Sequence, residues 1–269
     1  MYKTLIPATL LTLLAASSAF AEHRLLVTDV PDPGMIETRL DFTYSRANGK
    51  NDLGEKLIDE KTGAAVTLGA GILNGLKFSA EIPYTLVQHK EGVEIDGFED
   101  ITLGVKYALT KSLLKLPFDA AVGFDWKLDS ASSNEGKPGT GSNNYSPYLA
   151  VSKNLHTFIP YVKYQPDFIV EAHKGRTDHN LTLGAEIELN HHYTLDLAVK
   201  GVVNGHHEGF KSSTDVEIEA GPYINVTKNL YILPKVSYKV IGDIKDDTDK
   251  KVLRNADEYK VGLGVYCLF

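Results

Sequence analysis

From Ile36 to the terminal Phe269, apolar side chains alternate with polar or charged ones in segment after segment. Successive side chains of a strand point to opposite faces, so a period of two gives every such segment one greasy face and one wet face. Phe118, Ala120, Val122, Phe124, Trp126 and Leu128 stand against Asp119, Asp125, Lys127 and Asp129. Ile36, Thr38, Leu40, Phe42 and Tyr44 stand against Glu37, Arg39 and Asp41, and the last segment places Tyr259, Val261, Leu263, Val265, Cys267 and Phe269 on one face. Each segment has about the 9 to 11 residues that a tilted strand needs to cross a bilayer. Two architectures accept this pattern: a soluble β-sandwich with its apolar faces inward, and a transmembrane barrel with its apolar faces outward.

The connections discriminate between them. Short turns are expected at Leu73-Asn74-Gly75, around Thr110 to Leu113, at Lys153 to His156, at Asn190-His191-His192 and at Thr227-Lys228-Asn229. Long polar loops are expected near 46–62, 88–98, 130–143, 165–179, 204–212 and 241–256. Short and long connections alternate strictly, which puts every long loop at one end of the sheet. A sandwich has no reason for that, whereas a membrane barrel has turns at the periplasmic rim and loops outside. Aromatic residues gather at both ends of the strands: Tyr44, Tyr84, Trp126, Tyr164, Tyr238 and Tyr259 near the loops, and Tyr107, Phe158, Tyr193 and Phe269 near the turns. The expected fold is therefore an all-β, antiparallel, up-and-down transmembrane β-barrel of about 12 strands, spanning residues 35–269.

The first residues fit an exported protein. Lys3, an apolar run from Leu5 to Ala16 and the small-residue site Ala19-Phe20-Ala21 read as a signal peptide over 1–21. Residues 22–34 then form a periplasmic N-terminal segment ahead of the barrel. After the signal there is no apolar stretch long enough for a membrane-spanning helix. The formal charge of -7 argues against a nucleic-acid partner, and the single Cys267 cannot form an internal disulfide. The location expected is the bacterial outer membrane. The partners expected are its lipid, the barrel assembly machinery that would read Phe269 as an assembly signal, and a small-molecule solute.

Function then rests on the inward face, where acids outnumber bases and a water-filled pore would be mildly cation-selective. The candidates for lumen selectivity are Glu186, Glu188, Asp215, Glu217 and Glu219, with Lys235, Lys239 and Arg39 as their basic counterparts. Like charges so close repel unless a cation or the basic strand at Lys235 and Lys239 compensates, so a constriction is sought there first. Paired charges in a closed lumen that merely neutralise one another are the alternative.

Enzyme chemistry has little support. A barrel hydrolase needs a nucleophile and a base on one strand face, and the chain contains no His-x-Ser or Ser-x-His. The nine histidines fall mostly in turns and loops, and Asp243, Asp246, Asp247 and Asp249 lack the glycine and glutamate of a calcium loop. No catalytic residue, metal site or cofactor is expected.

Glu81-Ile-Pro-Tyr84 and the run Gly97-Phe-Glu-Asp-Ile-Thr-Leu-Gly-Val-Lys-Tyr-Ala-Leu109 resemble a segment of the putative MetA-pathway of phenol degradation family of outer-membrane barrels. Thr28-Asp-Val-Pro-Asp-Pro-Gly34 is similar to that family's opening segment. The likeness covers mainly residues 28–129, and Phe98-Glu99 replaces the more usual glycine before Asp100. It implies a channel or uptake barrel for small solutes, among them hydrophobic or aromatic compounds. The rival reading is a non-conducting structural or adhesin-type barrel that works through its outer loops.

Overall fold

A computed structural model describes residues 27–269 apart from 52, 91, 110–115, 132–136, 172–174, 207–209, 247 and 249. The signal peptide and the turn expected around Thr110 to Leu113 lie outside the described residues. The strands are β1 (Ile36–Lys50), β2 (Lys56–Leu73), β3 (Leu76–Lys90), β4 (Val93–Phe98), β5 (Thr102–Ala108), β6 (Asp119–Lys127) and β7 (Ser142–Ser152). They continue as β8 (Phe158–Glu171), β9 (Gly175–Asn190), β10 (Tyr193–Asn204), β11 (Ser213–Thr227), β12 (Leu230–Ile241), β13 (Ile244–Lys245) and β14 (Lys251–Leu268).

The strands pair antiparallel in the order β1-β2-β3-β5-β6-β7-β8-β9-β10-β11-β12-β14, and β14 returns to pair with β1. β4 and β13 only extend the wall beyond β3 and β14, which leaves twelve strands in the closed barrel. Closure is anchored at the chain end: Phe269 N–H donates to Ile36 O at 2.8 Å and Ile36 N–H donates to Phe269 O at 2.9 Å. No sheet edge remains for lipid to desolvate.

The tight turns stand where the chain's punctuation puts them, at residues 74–75, 191–192 and 228–229, with a slightly longer one at 153–157. The long loops are shorter than expected. Residues 46–50 and 56–62 are paired strand, β3 runs on to Lys90 into a hairpin with β4, and β8 and β9 continue to Glu171 and from Gly175. Alternation of polarity marks a strand only where one face meets lipid. Above the bilayer both faces are wet, so Lys61 opposite Gln88, or Asp59 accepting from Gln88 Nε2 at 2.9 Å, carries no apolar signal although the ladder persists.

The outward face is a continuous apolar belt. Phe42, Leu68, Phe78, Ile82, Leu103, Phe124, Leu149, Leu183, Val199, Ile218, Val236 and Leu263 are all exposed. Aromatic pairs top it on the loop side: Tyr44 with Tyr259 at 6.1 Å, and Trp126 stacked on Tyr145 at 6.0 Å. An apolar surface of this extent is stable only against lipid, so the barrel spans a membrane with its strands.

Candidate functional site: a charged belt across the lumen

The wet faces of the strands meet inside the barrel. Near mid-height they form a belt that runs round the wall. On β1, Arg39 Nε donates to Asp41 Oδ1 at 2.9 Å. Glu81 of β3 stands in the field of Asp41, Arg39 and Asp125. Asp125 of β6 faces Lys163 and Lys106 and accepts from Gln165 Nε2 at 3.3 Å. Lys163 of β8 lies 4.3 Å over the Tyr148 ring of β7. Tyr161 and Tyr223 hydroxyls both donate to the Asp196 carboxylate of β10, at 3.0 and 3.2 Å, and Tyr223 returns the belt to the neighbourhood of Arg39. Tyr148 and Tyr161 lie flat over Gly123 and Gly184, where a larger side chain would displace the rings.

Two cavities lie above and below this belt. The outer one, about 290 Å³, is bounded by Lys61, Glu99, Lys235 and Lys260, and the inner one, about 340 Å³, by Glu37, Lys77, Lys106 and Tyr266. They share Arg39, Asp41, Glu81 and Leu233, so these four side chains stand between them. Of the four, Arg39 is a candidate from sequence. Asp41, Glu81 and the tyrosines Tyr161 and Tyr223 are not, although their parity on polar faces was legible; what the sequence lacks is which strands face each other across the lumen.

The other candidates are strung along one wall. Register sets Glu188 beside Thr194 and so level with Tyr223, and Glu186 beside Asp196 and so level with Gly221. Glu219, Glu217 and Asp215 follow on β11, so the five carboxylates climb the lumen two residues at a time rather than meeting at one level. The β12 lysines meet them: Lys235 pairs with Glu219, and Lys239 Nζ lies 2.9 Å from Asp215. Glu217 takes a hydrogen bond from Ser237 and feels Lys260, Lys200 and Lys235. The terminal Phe269 lies at the closing seam, and its neighbour Tyr266 points inward to donate to Glu37 Oε2 at 3.1 Å.

At the turn end the lumen is filled by the residues that precede β1. Asp32-Pro33-Gly34-Met35 makes a turn closed by Met35 N–H to Asp32 O at 3.0 Å, with Gly34 at φ 85°, the type II arrangement that proline and glycine favour. The turn sends residues 27–31 back inside the barrel. Lys106 Nζ donates to Val27 O at 3.0 Å and to Asp29 O at 3.1 Å, and the hydroxyls of Thr28 and Ser152 are 2.7 Å apart. Val30 and Pro31 are buried, and Gly71 makes room, since a Cβ there would overlap the carbonyl oxygens of Pro31 and Asp32. Next to the segment, Met35, Tyr231, Leu233, Tyr266 and Leu268 form an apolar cluster inside the barrel.

At the loop end, Asp100 ties down the connection between β6 and β7. One carboxylate oxygen accepts from the N–H groups of Ser130 and Ala131, and the other from the N–H and hydroxyl of Thr140. Burial alone would push this carboxyl up. The hydrogen bonds, with Lys127 at 3.8 Å, outweigh that and hold it below its ordinary value.

A closed antiparallel barrel with a lipid-facing belt, short turns at one end and a polar lumen is the fold of the bacterial outer-membrane β-barrels. Known structures bear this out: the COG4313 outer membrane channel from Pseudomonas putida F1 superposes with a TM-score of 0.69 at 10% identity, over 90% of this chain and 98% of that one. The translocator domain of the autotransporter NalP from Neisseria meningitidis gives 0.53 at 8% identity, over 89% and 90% of the two chains. The NanC porin gives 0.50 at 15% identity, over 83% and 98%. No protein-family model and no curated protein sequence matches the chain.

Proposed function

We propose that the protein is an outer-membrane channel for small solutes, in which the passage at Arg39, Asp41 and Glu81 selects by charge and size. The observation that carries this reading is the pair of lumen cavities that share those residues. Fixed charges of both signs at a narrow point favour compact, polar or ionised solutes, because an uncharged apolar molecule would strip water from carboxylates and a guanidinium without replacing it. An aromatic compound fits this route best when it carries a polar or ionised group that the belt can solvate. The motif likeness to the phenol-degradation barrels and the shared fold of the Pseudomonas putida channel support uptake as the purpose.

Conductance in planar bilayers tests the reading. Folded protein is expected to conduct, and Arg39→Gln to shift ion selectivity toward cations by removing the fixed positive charge between Asp41 and Glu81. Folded barrels that pass no current, or an unaltered reversal potential in Arg39→Gln, would sink it.

A further inference from the structure

The strand register puts Arg39, Thr67 and Glu81 at one level on β1, β2 and β3, with the small hydroxyl side chain between the two charged ones. Neighbouring strands stand about 4.8 Å apart, so the roots of Arg39 and Glu81 are separated by roughly 10 Å of lumen wall. All three side chains line the inner cavity, and the two charged ones line the outer cavity as well. Arg39 is held ready. Its Nε reaches both oxygens of Asp41, at 2.9 and 2.7 Å, and Gly264 leaves room for that carboxylate, since a Cβ there would stand 2.7 Å from Asp41 Oδ1. A group fixed in place before any solute arrives lowers the ordering cost of binding.

The charges around this pair are matched to one another. Lys77 pairs with Glu37 on the inner side, Lys61 with Glu99 on the outer side at 2.9 Å, and Lys235 with Glu219. Glu81 differs. It is exposed to the lumen and makes no hydrogen bond or ion pair with any described residue, although Arg39 is near enough to act on it through its field. The Arg39 side chain is 42% exposed, and its terminal nitrogens donate to no described residue. A fixed cation and a fixed anion thus face the same space without closing on each other. A solute with one charge leaves one of them unanswered, whereas a solute with both answers the two at once.

We propose that Arg39 and Glu81 form a binding site for a small zwitterion of the amino-acid type, its carboxylate on the Arg39 terminal nitrogens and its ammonium on the Glu81 carboxylate, with the Thr67 hydroxyl between them. The pair stands between the two cavities, so a bound zwitterion lies on the route through the lumen. Its part in passage rests on the channel reading; the binding chemistry does not.

β-Alanine is the probe, titrated calorimetrically near neutral pH into the full barrel in lipid nanodiscs, with propionate and ethylammonium as the same skeleton stripped of one charge. Saturable binding of β-alanine is expected, tighter than that of either control by about tenfold, the usual worth of one charge-assisted contact. In Glu81→Gln the advantage of β-alanine over propionate should vanish while that over ethylammonium remains, and in Arg39→Gln the reverse, both variants keeping the heat-modifiable gel mobility of a closed barrel. Should Arg39→Gln fail to fold through loss of the Asp41 contact, Glu81→Gln carries the test, since no hydrogen bond to a described residue is lost with it. Absence of saturable β-alanine binding, equal binding of the three solutes, or an advantage over propionate that survives in folded Glu81→Gln overturns the proposal. A barrel that conducts without preferring β-alanine loses only this inference, and one that binds it as expected without conducting loses only the channel reading.

Discussion

The two ends of the lumen are built on opposite principles. At the turn end the barrel's own chain is folded back inside, packed against an apolar cluster and held by a lysine on two carbonyl oxygens. At the loop end the strands run on beyond the apolar belt, and the space between them is bounded by lysines and carboxylates. Charge and hydrogen bonding dominate the outer space and the belt at Arg39, whereas at the turn end packing of Val30 and Pro31 adds to the hydrogen bonds that Lys106 and Ser152 make to residues 27–29.

Removing the inner packing is the strongest way to break that contrast. Excision of residues 27–34 is expected to raise single-channel conductance several-fold, since these residues fill the lumen at the turn end. The barrel should survive, because closure runs through the β1–β14 ladder from Ile36 and Phe269 onward and not through the excised residues. Unchanged conductance from the folded, shortened barrel would mean that the route does not leave through that end.

Gly71→Val is a subtler form of the same experiment. A side chain there displaces Pro31 and Asp32, so conductance should rise toward that of the excised form, at a stability cost of about 1–3 kcal/mol typical of an overpacked site. In the excised background the same substitution should leave conductance where it is. A further rise there would show that Gly71 acts on the wall and not through the segment.

Legibility in the sequence follows the same division. The strands, their parity and the turns were open to reading because lipid on one side and water on the other impose alternation, as at Phe118 to Asp129 and Tyr259 to Phe269. Where that boundary condition lapses, reading fails: the outer halves of β1, β2, β8 and β9 are strand without alternation. The lumen was legible strand by strand, since Arg39, Lys235 and Glu219 lie on the polar faces of their strands. It was not legible across the bore, since Arg39 near Tyr223, or Tyr161 beside Asp196, depends on closure of the sheet over long stretches of chain. The inward fold of residues 27–31 was written in Asp32-Pro33-Gly34 as a turn, but a turn does not say which side of the barrel the chain then takes.

The smallest expected effect belongs to the loop end and is set by pH. Asp100 is held below its ordinary value of 3.8, so its hydrogen bonds stabilise the loop fully above that value and are lost as pH falls through the depressed one. Hydrogen exchange at Ala131 and Thr140 should therefore show protection that is constant near neutrality and collapses only at a pH below 3.8, with the barrel ladder unaffected. Asp100→Asn should lose protection at one of the two sites at every pH, because the amide keeps an acceptor for one set of donors and turns its NH₂ toward the other. Protection at both amides in Asp100→Asn, or a collapse at higher pH, would show that the loop is held by something other than this carboxylate, and the outer mouth would then share the packing logic of the inner one.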